Sequence, residues 1–122
     1  MAALMLVALY GTLKVGHVNH ERYLKGERPT SALFAELPFE MFTNEEYPML
    51  VPAASGELHR VWVEIFDVSD EQMRELDALE TPYGYWRESV FIDALGETVA
   101  IYVHPAPPPD GFTRVPSGMW PP

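Results

Sequence analysis

One glutamate lies where a helix should be apolar, and a carboxyl in that position can act as an acid and a base. The segment after Ser69 has a helical pattern in which three apolar side chains share one face, namely Met73, Leu76 and Leu79. At about 100° per residue, Glu80 falls within the same arc of about 120°. Burial penalises the charged form of a carboxyl and raises its pKa. A carboxyl that titrates nearer neutrality can take and give a proton, so Glu80 is a candidate general acid and base.

Three other interpretations of Glu80 stay open from the sequence. Its carboxylate can form a structural ion pair with Arg87. The helix can already be unwound before Pro82, in which case the projection onto the apolar face fails. The side chain can also extend to reach solvent.

A second candidate region is the turn Tyr10-Gly11-Thr12-Leu13, which follows an apolar segment. Consecutive backbone N–H groups in such a turn can bind a carboxylate, and Gly11 adds little bulk to hinder a ligand. An ordinary glycine loop without a ligand is the alternative. The pattern therefore indicates a candidate anion site without identifying its ligand.

Several patterns typical of other enzyme classes are incomplete. Gly11 and Gly16 have P-loop spacing, but His17-Val18 follows where a Lys-Ser or Lys-Thr pair is needed, so a phosphate cradle is excluded. The sequence contains no G-x-G-x-x-G and no G-x-S-x-G motif. Cysteine is absent, which excludes disulfides, thiol nucleophiles and cysteine-based metal sites.

The four histidines do not complete a recognisable metal site. His17 and His20 are three residues apart, but no carboxylate or third histidine completes a ligand set with them. His59 and His104 have no visible partner in the sequence. We therefore expect no bound metal.

The elements that must position Glu80 and the turn follow from local patterns. Apolar patterns predict five strands, over residues 3–10, 31–43, 57–66, 86–93 and 97–104. Helices are predicted from Asn19 to about Leu24 and from Ser69 to about Leu79, the second with a Ser69–Gln72 capping box. The segment from Tyr47-Pro48 to Pro52 is predicted to be a loop. The fold class is therefore α+β, with a mixed sheet that can curl into a small barrel.

The chain length and the C-terminal composition bear on domain organisation. With 122 residues, we expect one domain over residues 1–122. Residues 105–122 hold seven of the twelve prolines, and this tail is either an ordered wrap over the barrel or a loose end. Phe112 and Trp120 favour partial ordering, because large aromatic side chains gain from burial. The proline run of residues 105–109 can also adopt polyproline II and bind a partner.

Charge and hydropathy exclude several kinds of partner. The formal net charge of −10 disfavours binding to nucleic acid and to anionic membrane surfaces. The apolar run Ala2 to Leu9 lacks a basic n-region and a cleavage site, and it is too short to span a bilayer. We read it as a buried first strand and expect a cytoplasmic protein.

Four sequence blocks occur in order over most of the chain. They are Tyr10-Gly11-Thr12-Leu13 with Gly16 and Asn19-His20, then Tyr47-Pro48-Met49-Leu50, Leu76-Asp77-Ala78-Leu79-Glu80, and Tyr85-Trp86-Arg87 with Val90. This ordered set resembles the gamma-glutamylcyclotransferase-like (AIG2-like) family, and most closely its gamma-glutamylamine cyclotransferase branch. The resemblance implies a small mixed β-barrel-like sheet of about five to seven strands with flanking helices. It also implies that no metal or organic cofactor is used.

The resemblance further implies an intramolecular aminolysis. The α-amine of a γ-glutamyl group attacks its own γ-carbonyl and releases 5-oxoproline and a free amine. Glu80 would be the catalytic acid and base. The residues implied to bind the small γ-glutamyl substrate are Tyr10, Gly11, Thr12, Leu13, Tyr85 and Arg87.

Two segments depart from the family pattern. Val63-Glu64-Ile65-Phe66 stands where the family has a glycine and a Glu-x-Tyr strand, and residues 31–43 lack expected glycines. These changes can reshape the pocket wall. A non-catalytic domain that binds a small acidic metabolite on the same fold is therefore the alternative.

Overall fold

The computed structural model describes residues 4–122, and eight strands within this range form two sheets. The strands are β1 (Leu4–Leu9), β2 (Ser31–Leu37), β3 (Phe39–Thr43), β4 (Pro48–Pro52), β5 (His59–Ser69), β6 (Trp86–Ile92), β7 (Glu97–Val103) and β8 (Thr113–Arg114). Two α-helices accompany them, α1 (His20–Leu24) and α2 (Asp70–Glu80). Short 3₁₀ turns span Ala54–Gly56 and Thr81–Tyr83.

The larger sheet is mixed and curls. Its strand order is β2-β5-β1-β7-β6, with β1 parallel to β7 and the other pairs antiparallel. The edge strands β2 and β6 contact each other, so the sheet bends towards a half-barrel. The smaller sheet has the order β4-β3-β8. The predicted α+β class with a curled mixed sheet is confirmed.

The strand predictions were wrong around the prolines. Residues 31–43 form two strands in different sheets rather than one, because Pro38 has no N–H for the ladder and marks the break. The predicted loop from Pro48 to Pro52 is the edge strand β4, with both prolines at its ends. These two differences raise the strand number from the predicted five to seven, and the short strand β8 in the tail makes eight, one more than the resemblance implies.

The first strand separates two apolar clusters, as its unbroken apolar sequence predicts. Ala8 and Tyr10 pack into the interior of the curled sheet, whereas Val7 and Leu9 face the helices. Alternate side chains of one strand point to opposite faces, so a strand covered on both sides is apolar throughout. Ala2 and Ala3 of the predicted N-terminal strand lie outside the described residues.

Helix α2 begins as the sequence predicts. The Ser69 hydroxyl accepts from the Gln72 N–H at 3.2 Å, and the Gln72 side chain accepts from the Ser69 N–H at 3.0 Å. This capping box satisfies two N–H groups that the helix cannot pair internally. The helical backbone continues through Glu80 to Thr81, so the projection of Glu80 onto the apolar face holds. The alternative of an unwound end before Pro82 is wrong.

Helix α1 lies at the predicted position but lacks the side-chain cap expected from Asn19. Asn19 is its first boundary residue, yet its side chain makes no capping bond and donates instead to the Thr12 hydroxyl. Lys25 and Gly26 both take positive φ values at its end. In residues 4–122, no helix has the length and apolar character needed to cross a membrane.

Candidate active site

A cavity of about 410 Å³ opens where the end of β1 meets both helices. It is lined by residues of β1 and the following loop, of α1, of the start of β4, of the end of α2, and of β7. Its lining includes Tyr10, Gly11, Thr12, Leu13, Glu80 and Tyr85. The structure therefore brings together all but one of the site residues predicted from the sequence.

Glu80 places its carboxyl in this cavity at the last residue of α2. Desolvation by burial raises the pKa of Glu80 from 4.5 to about 7. Glu80 also lies at the negative end of the α2 dipole, which disfavours the charged carboxylate and therefore acts on the pKa in the same direction. Among residues 4–122, no side chain or N–H group forms a hydrogen bond or ion pair with this carboxyl. Near neutral pH the group can therefore exchange a proton.

The alternative in which Glu80 forms an ion pair with Arg87 is wrong. The Arg87 guanidinium instead lies 3.3 Å from a carboxylate oxygen of Asp77, on the outside of the sheet. Arg87 also does not line the cavity. The other oxygen of Asp77 accepts the Tyr102 hydroxyl at 2.7 Å, so Arg87 is connected to the cavity through Asp77 and Tyr102.

The turn after β1 carries free backbone donors. Within residues 4–122, the N–H groups of Gly11, Thr12 and Leu13 donate to no protein acceptor, although all three residues line the cavity. The Lys14 N–H closes the turn by donating to the Gly11 carbonyl at 3.1 Å. A Cβ on residue 11 would lie 2.9 Å from the Pro48 side chain, so the close approach of these two segments requires glycine. Three unpaired N–H groups in one turn are suited to an anion.

All six tyrosines of the chain line this cavity, and three of them share one hydrogen-bonding pattern. Tyr10 donates to the Tyr102 carbonyl at 2.6 Å, Tyr85 to the Pro48 carbonyl at 2.8 Å, and Tyr102 to Asp77. Desolvation by burial raises the pKa of all three phenols, so they stay neutral. Their protons point to the protein. The Tyr10 oxygen also accepts the Leu50 N–H at 3.3 Å, whereas the Tyr85 oxygen accepts from no group among residues 4–122 and keeps its acceptor capacity.

The roles of Tyr102 and Asp77 in this arrangement were not predicted from the sequence. Asp77 is one of several acidic residues of α2, and Tyr102 lies in the apolar pattern of β7. Their hydrogen bond joins residues 25 positions apart, and no local pattern carries that information.

The histidines lie away from the cavity lining and make other contacts. The buried His20 ring bonds to the Leu13 carbonyl at 3.0 Å, and the His17 ring packs against Trp120. No partner for His104 was visible in the sequence, and in the structure its ring packs edge-on against Tyr85.

No partner for His59 was visible in the sequence, but two carboxylates lie near its ring in the structure. Its Nε2 lies 3.5 Å from Glu40 and 3.7 Å from Glu57, a set that has the donor types of a metal site. Arg114 already lies 3.7 Å from the other oxygen of Glu40, and Glu57 is largely exposed. These contacts are those of a surface charge cluster.

Together, the curled mixed sheet, the cavity, the raised pKa of Glu80 and the free N–H groups define a small α+β protein suited to a polar small molecule. The chain belongs to the family described as gamma-glutamyl cyclotransferase, AIG2-like, whose model matches residues 7–122.

Similar proteins of known sequence or structure support this family membership. The gamma-glutamylaminecyclotransferase of Bos taurus is 31% identical over 84 residues, which cover 62% of this chain and 48% of that protein. The match therefore spans about half the length of this relative. An AIG2-like protein of Mus musculus has 26% identity and a TM-score of 0.54, over 84% of this chain and 77% of its own. An uncharacterized protein of Pyrococcus horikoshii shares the fold with a TM-score of 0.76 at 24% identity, over 95% and 89% of the two chains.

Proposed function

We propose that this protein is a cyclotransferase that releases 5-oxoproline and a free amine from a γ-glutamyl amine or γ-glutamyl amino acid. The observation that carries the proposal is the position of Glu80, a buried carboxyl with a pKa of about 7 in the same cavity as three free N–H groups. The name of the bovine relative supports an amine as the leaving group.

Glu80 would carry two protons from the attacking nitrogen to the leaving nitrogen. Its carboxylate takes the first from the α-ammonium of the substrate, and the freed amine attacks the γ-carbonyl carbon to close a five-membered ring. Glu80 gives this proton to the leaving nitrogen as its bond to that carbon breaks. The regenerated carboxylate then takes the second proton, which the ring nitrogen must lose, and passes it to the released amine, which departs as an ammonium. A group with a pKa near neutrality suits both steps, because it neither holds nor releases the proton too strongly.

The turn after β1 would hold the substrate's α-carboxylate. The N–H groups of Gly11, Thr12 and Leu13 are the available donors, and hydrogen bonds to a charged acceptor are stronger than neutral ones. Fixing the carboxylate and the amine together holds the chain in the conformer that cyclises, which supplies much of the rate of an intramolecular reaction.

The Tyr85 oxygen would complete the binding of the α-amine. Tyr85 donates its own proton to a backbone carbonyl, so its oxygen can accept an N–H group of the substrate. The Tyr10 oxygen already accepts the Leu50 N–H, so Tyr10 would line the pocket. Arg87, expected from the sequence to bind substrate, would instead act by holding Asp77 and, through it, Tyr102.

The alternative is a non-catalytic domain that binds a small acidic metabolite. It drew support from the departures at residues 31–43 and 63–66, but none of these residues lines the cavity. The changed segments therefore do not alter the walls that would contact substrate. A single domain without metal or cofactor, with no nucleic-acid or membrane partner and a cytoplasmic location, stays part of the prediction from sequence.

The proposal is tested by chromatographic assay of 5-oxoproline from a panel of γ-glutamyl compounds. The panel holds γ-glutamyl-ε-lysine, γ-glutamyl-alanine, glutathione and a simple γ-glutamyl alkylamine. We expect product from at least one member, and the best substrate identifies the leaving amine. No product from any member, combined with a ligand-induced rise in melting temperature, would favour the binding domain instead.

A further inference from the structure

The loop that carries the free N–H groups is attached to the C-terminal end of the chain. We call residues 10–19 the site loop. The Lys14 ammonium donates to the Trp120 carbonyl, and the His17 ring lies 5.4 Å from the Trp120 ring. The backbone N–H of Lys14 also closes the turn that begins at Gly11. One residue therefore connects the anion-binding turn to a residue 106 positions away.

The attached segment is itself fixed on two strands. We call residues 113–120 the C-terminal strap. It pairs with β3 through β8, and the Gly118 carbonyl accepts the Trp62 N–H of β5 at 2.8 Å. Trp120 is 7% exposed, and its indole N–H donates to the Thr43 hydroxyl at 3.0 Å. The strap is therefore anchored independently of the site loop.

Lys14 is buried although it does not line the cavity and has no part in the proposed chemistry. It is 5% exposed, and desolvation by burial lowers its pKa while Glu64 opposes that shift. A buried ammonium is costly unless acceptors surround it, and the Trp120 carbonyl provides one. Glu64 also accepts the Val15 N–H at 2.8 Å, so the same part of the loop is held from two sides.

We propose that the C-terminal strap is a positioning element of the substrate site. Through Trp120 and Lys14, it fixes the turn whose N–H groups would bind the substrate carboxylate. The kinetic consequence rests on the proposed function, whereas the mechanical link between strap and loop does not.

Two glycines of the tail provide a matched pair of variants. Both Gly118 and Gly111 have positive φ, at +69° and +90°, so alanine costs backbone strain at either position. A Cβ at Gly118 would also lie 1.7 Å from the Arg60 carbonyl oxygen, whereas nothing lies within 4 Å of one at Gly111. Gly118→Ala must therefore lift the strap from β5, and Gly111→Ala serves as the control.

Amide hydrogen exchange measures the link without any substrate. The reporters are the Lys14 and Asn19 N–H groups, which donate within the site loop, and the amides of α2 are the reference. We expect Gly118→Ala to speed exchange of both reporters about tenfold relative to Gly111→Ala, which corresponds to the loss of about one hydrogen bond. Exchange in α2 should not change. Reporter exchange no faster than in Gly111→Ala would overturn the proposal.

The kinetic arm separates positioning from a general loss of structure. With a substrate from the γ-glutamyl panel, Gly118→Ala should raise KM severalfold and leave kcat nearly unchanged, because uniform binding is lost. An unchanged KM despite faster loop exchange would contradict the positioning role. If the wild type forms no 5-oxoproline, the proposed function fails, while faster exchange would still establish the link between strap and loop.

A second variant covers the case in which Gly118→Ala does not fold. Lys14→Met keeps the apolar stem of the side chain and removes the ammonium donor, while the strap stays seated on β5. We expect the Asn19 N–H to exchange faster in Lys14→Met than in the wild type, by the same factor as expected for Gly118→Ala. Wild-type exchange at Asn19 in Lys14→Met would refute the link.

Discussion

Replacing Glu80 by glutamine should stabilise the folded chain at alkaline pH while it removes the proposed proton carrier. Burial raises the pKa of Glu80 from 4.5 to about 7. At pH values below 4.5, the carboxyl is protonated in the folded and the unfolded chain and contributes nothing. Above this value the unfolded chain releases the proton first, so wild-type stability falls as the pH rises. Above about 7 the folded chain must also ionise the buried group, and the penalty is complete.

The size of the effect follows from the two pKa values. The separation between 4.5 and about 7 corresponds to a penalty of about 3 kcal/mol at pH 8. The same linkage gives about 2 kcal/mol at pH 6 and almost nothing at pH 4. Glutamine is nearly isosteric and carries no charge, so Glu80→Gln should escape this penalty.

Urea denaturation of the wild type and of Glu80→Gln at pH 4, 6 and 8 measures the difference in the free energy of unfolding. Glu75→Gln is the matched control, because Glu75 lies on the same helix with an exposed side chain. We expect the advantage of Glu80→Gln to grow with pH and that of Glu75→Gln to stay near zero. A Glu80→Gln difference that is constant from pH 4 to pH 8 would refute a buried carboxyl with a raised pKa.

Three further predictions concern turnover. For the wild type, kcat/KM should rise about tenfold per pH unit between pH 5 and pH 6.5 and level off above pH 8, as the Glu80 carboxylate forms; a flat profile would mean that no such base limits the rate. Gly11→Val should raise KM at least tenfold, because the added side chain meets Pro48 and displaces the turn, and a wild-type KM would contradict the role of the turn. Arg87→Met should lower kcat/KM by less than about fivefold, because Arg87 forms a partly exposed ion pair with Asp77 and does not line the cavity; a loss above a hundredfold would indicate direct contact with substrate.

Local patterns predicted the parts of the fold that local physics determines. The capping box at Ser69, the apolar face of α2 and the double-sided burial of β1 all follow from spacing within a few residues. Because the prediction of α2 and of its apolar face was correct, the predicted inward position of Glu80 was also correct. This carboxyl was therefore predictable without knowledge of the tertiary structure.

The strands around the prolines were not predictable in the same way. The segment Pro48–Pro52 has three residues between two prolines, and only its pairing with β3 makes it a strand. Pro38 similarly separates two strands that pair with different partners. Pairing between distant segments decides both cases, and the sequence of each segment alone does not contain it.

The walls of the cavity depend even more on long-range contacts. Its six tyrosines are distributed from Tyr10 to Tyr102 and share no spacing. The hydrogen bond between Lys14 and Trp120 joins residues 106 positions apart. The glycine-containing loop and the proline-rich tail therefore did not predict this contact from their own sequences. The resemblance implied that Arg87 binds substrate, but the fold places this side chain beside Asp77.

The most direct test of the central claim is the rate of 5-oxoproline formation by Glu80→Gln, beside Glu75→Gln and the wild type at pH 8, with the best substrate of the panel. We expect Glu80→Gln to fold and to bind that substrate, but to lose about 100-fold to 10,000-fold in kcat, the range of a general acid–base group. Glu75→Gln should turn over at the wild-type rate. A Glu80→Gln rate equal to that of the wild type would contradict the assignment of Glu80 as the acid and base.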